Sequence, residues 1–516
     1  MRKEQIYLLL ILILALFLRL LPIWGNNFVF MFDHAKDSLV VMEMGVFHKP
    51  ALFGAVTSIP GVYYGPLFYY LALPLNFFLA YQPIASVLTH LILTLLVIYL
   101  TAKYLGKLEA FLLATSWGLI AAQNSAWTPY MTPLLTTLIL IVLLKKNKYK
   151  IFYLAFLSSL TFHFQPAWGV VLLPTVLVIL LMGFLPASRG EHLERTSRRR
   201  IFLDKRGFLL AIFIFLLPFT PQLIFELRHD WHQTREVISF VQNYGNAAHE
   251  LSPNQKGLGR VLEVGTYLVE QVGAAIAPIK TDFKILYLTL ALSCLLGLRR
   301  AIGEGIPVLT GKGEVFLPFI LVPLAMYQFF PCKSYYLVAV QPVFIFLLAA
   351  VIRRFVKVDY VKYLVIFFVI LALFNLRFNI LNQQQLAQTD RILYAPKLAA
   401  VEKVYQLAAG KKFASYHYVR EIYDYTYQHI YLSKYYQHPN QYYLPSEFSY
   451  APGETSYLLQ KHVLANASEA EKLFLIVEKY ENKNEYQKWL DRLNVNLLVE
   501  YKINQAITVY EASFKK

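Results

Sequence analysis

The chain is short of charge and of cysteine. Only 16% of its 516 residues are charged, where a soluble domain carries roughly 25%. That excludes a water-soluble protein built throughout to ordinary composition. Two cysteines, Cys294 and Cys332, exclude a disulfide scaffold. They lie near opposite ends of apolar segments and read as buried packing residues. Signature loops are missing too: no Walker loop, no GxGxxG after a strand, no HExxH and no Cys/His metal spacing. These absences argue against a nucleotide-driven pump and a zinc protease.

What fills the chain instead is apolar. Hydrophobic residues make up 57%, the mean hydropathy is +0.45, and 38 phenylalanines with 37 tyrosines suit interfacial aromatic belts. Ile6 to Trp24 is a run of spanning length, which needs about 20 residues. No small-residue cleavage site follows it, so it reads as a retained helix rather than a signal peptide. Further spans are expected at 85–102, 108–127, 129–144, 151–168, 169–186, 207–225, 283–298, 313–331, 335–352 and 361–379. The expectation is an all-α polytopic membrane protein of about 11 transmembrane helices, with a small C-terminal mixed α/β domain. Its division is 1–380 for the membrane domain, with outer loops at 25–84 and 226–282, and 381–516 for the tail.

The net charge of +17 resembles a nucleic-acid signature, but Lys and Arg cluster in short runs between apolar segments. With eleven spans and the N-terminus inside, 22 basic residues fall in inner segments and 8 in outer ones before residue 379. This bias places the N-terminus in the cytoplasm and the tail outside. No nucleic-acid partner is expected. The tail carries 16 basic and 14 acidic residues and no span. Strands are expected at Leu473–Val477, Val495–Val499 and Ala506–Tyr510, with helices at Glu421–Tyr436 and about Glu481–Leu493. The Asn466-Ala467-Ser468 sequon is a weak match that means little without the host.

Charge at the mouth of a membrane protein is costly, so the segment Phe30-Met31-Phe32-Asp33-His34-Ala35-Lys36-Asp37 reads as functional. Asp33 and Asp37 are four apart, hence on one face of a helix. One can remove a proton while the other holds a partner. The plain alternative is that Asp33 caps a short helix. In the same loop, Tyr63-Tyr64-Gly65-Pro66-Leu67-Phe68-Tyr69-Tyr70 offers flat faces with polar tips on which sugars stack; an aromatic belt accounts for any single tyrosine equally well. Leu67–Leu79 and Val261–Ala277 read as interfacial or re-entrant helices. Arg19, inside the first span, either snorkels or pairs with Asp33 or Asp37.

His163 and Gln165 end a span just before Pro166. Hydrogen-bonded packing competes there with a substrate role. Arg228 and His229 leave the span at 207–225, and Lys333 and Tyr336 enter the span at 335–352. A phosphate at headgroup level would find two cations in Arg228 and Lys333, one a fork and one a point charge. Lipid-headgroup anchoring is the alternative.

In order along the chain, Asp33-His-Ala-Lys-Asp37, Tyr64-Gly65-Pro66-Leu67-Phe68-Tyr69-Tyr70, Trp127-Thr-Pro129, His163-Phe-Gln165-Pro166, Phe225-Glu-Leu-Arg228-His229 and Lys333-Ser-Tyr-Tyr336 before Pro342 carry a resemblance. The chain resembles the GT-C superfamily of polyprenyl-phosphate-sugar glycosyltransferases. It is most similar to the branch of protein O-mannosyltransferases, aminoarabinose transferases and rhizobial lipopolysaccharide core transferases. The resemblance covers about residues 1–380. It implies an inverting transfer in which Asp33 deprotonates an acceptor hydroxyl, with Asp37 as second carboxylate. Arg228, His229, Lys333 and Tyr336 would hold the donor phosphate, and Lys36, Tyr63, Tyr64, His163 and Gln165 would meet substrate. Many members have an acid directly after the base and a basic residue before the Pro-Leu turn; here those places hold His34 and Tyr64-Gly65. The implied partners are a polyprenyl-phosphate-linked sugar, a lipid, polysaccharide or protein acceptor, and membrane lipid. No cofactor is fixed: some members need a divalent cation and others do not. A transporter or flippase is the competing class, but it should show an internal repeat and midplane polar residues. A structural anchor for the tail does not explain so many spans.

Overall fold

The structure is a computed structural model that describes residues 3–145, 147–182, 205–243, 257–278, 313–330, 332–420, 424–454, 470–480 and 482–515. Its first half is helical: α1 (Lys3–Ile23), α2 (Phe32–Phe47), α3 (Leu67–Phe78), α4 (Ile84–Tyr104), α5 (Lys107–Thr115), α6 (Trp117–Ala122), α7 (Thr132–Leu144), α8 (Lys150–Phe164) and α9 (Pro166–Met182). Among the described residues, five helical stretches are long and apolar enough to cross a membrane: Lys3–Asn26, Ile84–Tyr104, Arg206–Arg228, Ser334–Phe355 and Asp359–Thr389. The last turns Ile366, Phe367, Ile370 and Phe374 outward. An apolar face of that kind suits lipid, not water. The expected span at 283–298 lies outside the described residues. The one at 313–331 is two short helices, Gly313–Phe316 and Pro318–Met326.

Three expected spans, 108–127, 151–168 and 169–186, are built differently. The one at 108–127 is interrupted at Ser116, whose ψ of 121° parts α5 from α6. The break exposes carbonyls at the end of α5, and Arg19 meets them. Its guanidinium is fully buried and donates to Ala114 O at 2.7 Å and Leu113 O at 3.2 Å. A cation suits the end of a helix, where carbonyls lack intrahelical partners. Arg19 therefore neither snorkels nor pairs with Asp33 or Asp37. The boundary expected at 168/169 falls instead at Gln165, extended at φ −161°, ψ 91°. Pro166 enforces it, because proline pushes its predecessor out of the helical region.

Polar side chains inside the apolar helices mostly bond back to their own helix. Thr89, Thr94, Thr101, Thr137 and Thr175 each donate to the carbonyl four residues earlier, at 2.8–2.9 Å. This satisfies a hydroxyl where water is absent.

The tail folds around a five-stranded mixed sheet: β1 (Phe413–Tyr418), β2 (Glu447–Ser449), β3 (Lys472–Glu478), β4 (Val495–Lys502) and β5 (Ile507–Phe514), in the order β2-β1-β3-β5-β4. β1 is parallel to β2 and β3, and β5 is antiparallel to β3 and β4. The three expected strands are present as β3, β4 and β5. The expected helices appear as Tyr425–Gln437 and Lys483–Leu493; 421–423 lie outside the described residues. β1 was not legible because Phe413-Ala-Ser-Tyr-His-Tyr418 is buried at every position, so its polar residues break any alternation.

The first loop and the tail share one core. Phe30 N donates to Ile392 O at 2.8 Å and Tyr394 N to Phe28 O at 3.0 Å. Phe28 stacks on Tyr394 with centroids 5.0 Å apart, and Phe32 meets Tyr425 at 5.0 Å. α2, with the two acids, is thus pressed against the Tyr425–Gln437 helix. The helix Val358–Thr389 runs unbroken through the composition change at residue 380.

Candidate active site

α2 begins at Phe32 after an extended Met31, and no side chain caps it. Asp33 lies in its first turn, where a carboxylate suits the helix dipole, and is exposed. Asp37 is one turn on and buried, with 2% exposure. The same spacing has given the two acids opposite surroundings. The Tyr69 hydroxyl donates to Asp37 Oδ1 at 2.7 Å. Burial pushes Asp37 up to about 7; the Tyr69 bond and Lys36 oppose this and Asp33 adds to it. Lys36, half-buried between the acids, is held below the usual lysine range by burial, against the pull of Asp37 and Asp33.

His34 faces the other way. Its Nδ1 lies 3.2 Å from Val29 O and its Nε2 3.2 Å from Pro83 O. Burial lowers it to about 4 against the two carbonyls. It ties α2 to the loop before α4 rather than joining the acids.

A small hairpin carries the tyrosines. Gly54 N donates to Tyr64 O at 2.7 Å, Tyr64 N to Ala55 O at 2.8 Å and Thr57 N to Val62 O at 3.0 Å. Gly61 turns it at φ +75°, a conformation glycine adopts without strain. Tyr64 lies within electrostatic reach of Tyr336, Asp33 and Asp37, and burial raises its hydroxyl well above the usual tyrosine range. Gly65 rests on the His163 ring so closely that a Cβ there would overlap it. His163 and Gln165 are buried, and among the described residues neither side chain has a hydrogen-bond partner.

Lys333 is exposed and caps a 3₁₀ segment, Ser334–Val340. Its Nζ lies 5.9 Å from the Tyr335 ring centre. Tyr335 meets Tyr336 at 4.7 Å and Trp127 at 4.7 Å, and is within electrostatic reach of Asp33 and Tyr64. So residues about 300 apart in sequence, Asp33 and the pair Tyr335–Tyr336, come within electrostatic reach of Tyr64 on the hairpin.

Arg228 and His229 end the helix Thr220–Arg228. Both are exposed, and His229 stacks on Phe225 at 4.2 Å with Nδ1 2.8 Å from Phe225 O. Phe225 and Phe53 both pack on Tyr63, at 6.1 and 4.4 Å. Among the described residues no hydrogen bond or ion pair joins Arg228 or His229 to Asp33 or Lys333. Sequence reasoning missed the residues that place this segment. Gln233 accepts from Tyr63 N at 2.9 Å and Gln222 donates to Tyr63 O at 3.3 Å. Glu226 caps the following helix through Gln233 N and Thr234 N, both at 3.0 Å. Tyr69 was visible only as one aromatic among several. Among the described residues, no group of three or more His, Cys, Asp or Glu is arranged to hold a metal ion.

Among solved structures, the crystal structure of ArnT from Cupriavidus metallidurans bound to undecaprenyl phosphate matches with a TM-score of 0.54 and 12% identity, covering 98% of this chain and 97% of that one. The likeness is one of fold. It extends over the tail as well as the spans, and it agrees with the fold that the sequence resemblance implied. The apolar helices and this neighbour make the chain an integral membrane protein. No family model matches the chain, and no curated protein does.

Proposed function

We propose that the chain is a membrane glycosyltransferase that moves a sugar from a polyprenyl-phosphate donor to an acceptor hydroxyl at the outer face of the membrane. The observation that carries this is the approach of Tyr335, next to Lys333, to Asp33 and Tyr64, in a fold shared with a protein crystallised with undecaprenyl phosphate. Asp33 is the base: exposed, in a first helical turn, and beside an aromatic wall. It takes the acceptor's proton as the acceptor oxygen bonds to the anomeric carbon. The bond from that carbon to the phosphate oxygen breaks, polyprenyl phosphate leaves, and the configuration inverts. Lys333 offsets the charge that grows on the phosphate, with Tyr336 behind it. Arg228 and His229 are further phosphate contacts, reached once a lipid headgroup bridges them to Lys333. Lys36, Tyr63 and Tyr64 line the substrate side, and the unpartnered His163 and Gln165 offer hydrogen bonds to sugar hydroxyls.

The distribution of Lys and Arg supports a cytoplasmic N-terminus, with the Asp33 loop, the 226–282 loop and the tail outside. Residues 1–380 form the catalytic membrane part and 381–516 the extracytoplasmic part. A sugar nucleotide is cytosolic, so an outward site draws on a lipid-linked donor. The acceptor is a lipid, polysaccharide or protein, and a divalent cation is compatible with the exposed Asp33. The test is mass spectrometry of host glycolipids and glycoproteins with the gene, without it, and with Asp33→Asn. The expected result is a glycan present only with the unsubstituted gene. An unchanged glycan in the Asp33→Asn strain removes Asp33 from the mechanism.

A further inference from the structure

We propose that Tyr69 is a positioning residue: its hydrogen bond fixes Asp37 one turn behind Asp33 and sets the proton occupancy of this second acid. The proposal uses the transferase reading only for what the two acids serve.

The geometry is local and buried. Tyr69 lies in the first turn of α3, where Tyr69 N donates to Pro66 O at 3.0 Å, so the Gly65-Pro66 turn aims its side chain. The ring is 2% exposed, as is Asp37, and the Oη–Oδ1 distance is 2.7 Å. A phenol held this way gives a carboxylate one fixed partner and favours its ionised form. Two carboxylates one helical turn apart disfavour each other's ionisation, and surroundings decide which holds the proton. Here Asp33 faces outward and Asp37 inward.

The groups acting on Asp37 are few. Asp33 and Lys36 come from its own helix and Tyr69 from α3, with Tyr64 within reach from the hairpin. On the tail side, the Tyr425–Gln437 helix brings His429 into the field of His34. Burial lifts Asp37 to about 7, and the Tyr69 bond is the largest effect opposing it. With its proton off, Asp37 strengthens Asp33 as a base; with its proton on, it does not. Tyr69 thus controls the pH at which Asp33 gains an ionised neighbour.

The test is infrared titration of protonated carboxyl groups in the full-length protein in lipid nanodiscs. In the unsubstituted protein one carboxyl should titrate near neutral pH, and Asp37→Asn should remove that signal. Tyr69→Phe should move its midpoint up by about one pH unit, a tenfold change in proton affinity. A fluorotyrosine placed at 69 alone, a stronger donor, should move the midpoint down; it keeps the test open should Tyr69→Phe misfold. A midpoint that neither variant moves, or a signal that survives Asp37→Asn, overturns the proposal. The titration needs no sugar donor. Absence of sugar transfer therefore counts against the transferase reading and leaves the Tyr69–Asp37 pair standing.

Discussion

The two walls of the site are held in different ways. α2 is fixed by a shared aromatic core: Phe28 and Phe30 pack on Tyr394, and Phe30 on His429 at 5.7 Å. The hairpin leans on fewer aromatics, Phe53 and Phe225 on Tyr63, and adds backbone hydrogen bonds, two glutamines and the bare surface of Gly65 on His163. A wall made of buried aromatics resists displacement, because many dispersion contacts must be lost together. A wall that depends partly on a few polar bonds is moved more readily by removing one. On the proposed reading, the acids sit on the rigid side and the substrate contacts on the adjustable side.

The sharpest break to that division is Asp33→Asn. Positioned bases contribute about 10²–10⁴-fold to rate, so sugar transfer should fall by that much while the aromatic core, and hence the folded yield, is unaffected. Lys333→Ala comes next. It removes an exposed cation whose Nζ lies 5.9 Å from the Tyr335 ring centre. The expected result is a rise in donor KM of about tenfold, one charged contact's worth; an unchanged KM removes Lys333 from the phosphate site. Gly65→Ala attacks the adjustable wall. The added methyl overlaps His163, and overpacking of this kind costs about 1–3 kcal/mol. The hairpin should shift, with transfer lost more than thermal stability. A variant with full activity would show that the Gly65–His163 contact is idle.

Much of the rigid side was legible in the sequence, because its signals are local. Asp33 and Asp37 at a four-residue spacing, and spans read from apolar runs, need only periodicity. What was not legible depends on distant partners. Arg19 finds carbonyls 94 and 95 residues away, exposed by a break at Ser116 that nothing in an apolar run announces. Gln233 reaches Tyr63 across 170 residues. Tyr69 looks like its neighbours Phe68 and Tyr70 until α3 is packed on α2. The fusion of first loop and tail was hidden as well, since aromatics in both read equally as interfacial belts.

Titration offers the finest test of the rigid wall. His34 and His429 lie at the seam between first loop and tail, and burial lowers them to about 4 and about 3. An unfolded histidine takes its proton near 6.5, so as pH falls below that value the unfolded state binds protons that the folded seam refuses. Stability from these groups is complete above about 6.5 and drains away as pH drops toward 4. Asp37 runs the other way. Raised to about 7, it favours the folded state most at low pH and loses that contribution as pH climbs from the ordinary carboxylate range to 7. The two effects should separate by place. The protection factors of amides in the Tyr425–Gln437 helix, corrected for the intrinsic exchange rate at each pH, should fall on acidification from pH 6.5 to 4.5, and His429→Phe should blunt the change. Protection factors around Tyr69 in α3 should instead fall as pH rises to 7, and Asp37→Asn should flatten that change. If both regions respond alike, the seam and the Tyr69–Asp37 contact open as one cooperative unit and the separate pH dependence of the two fails.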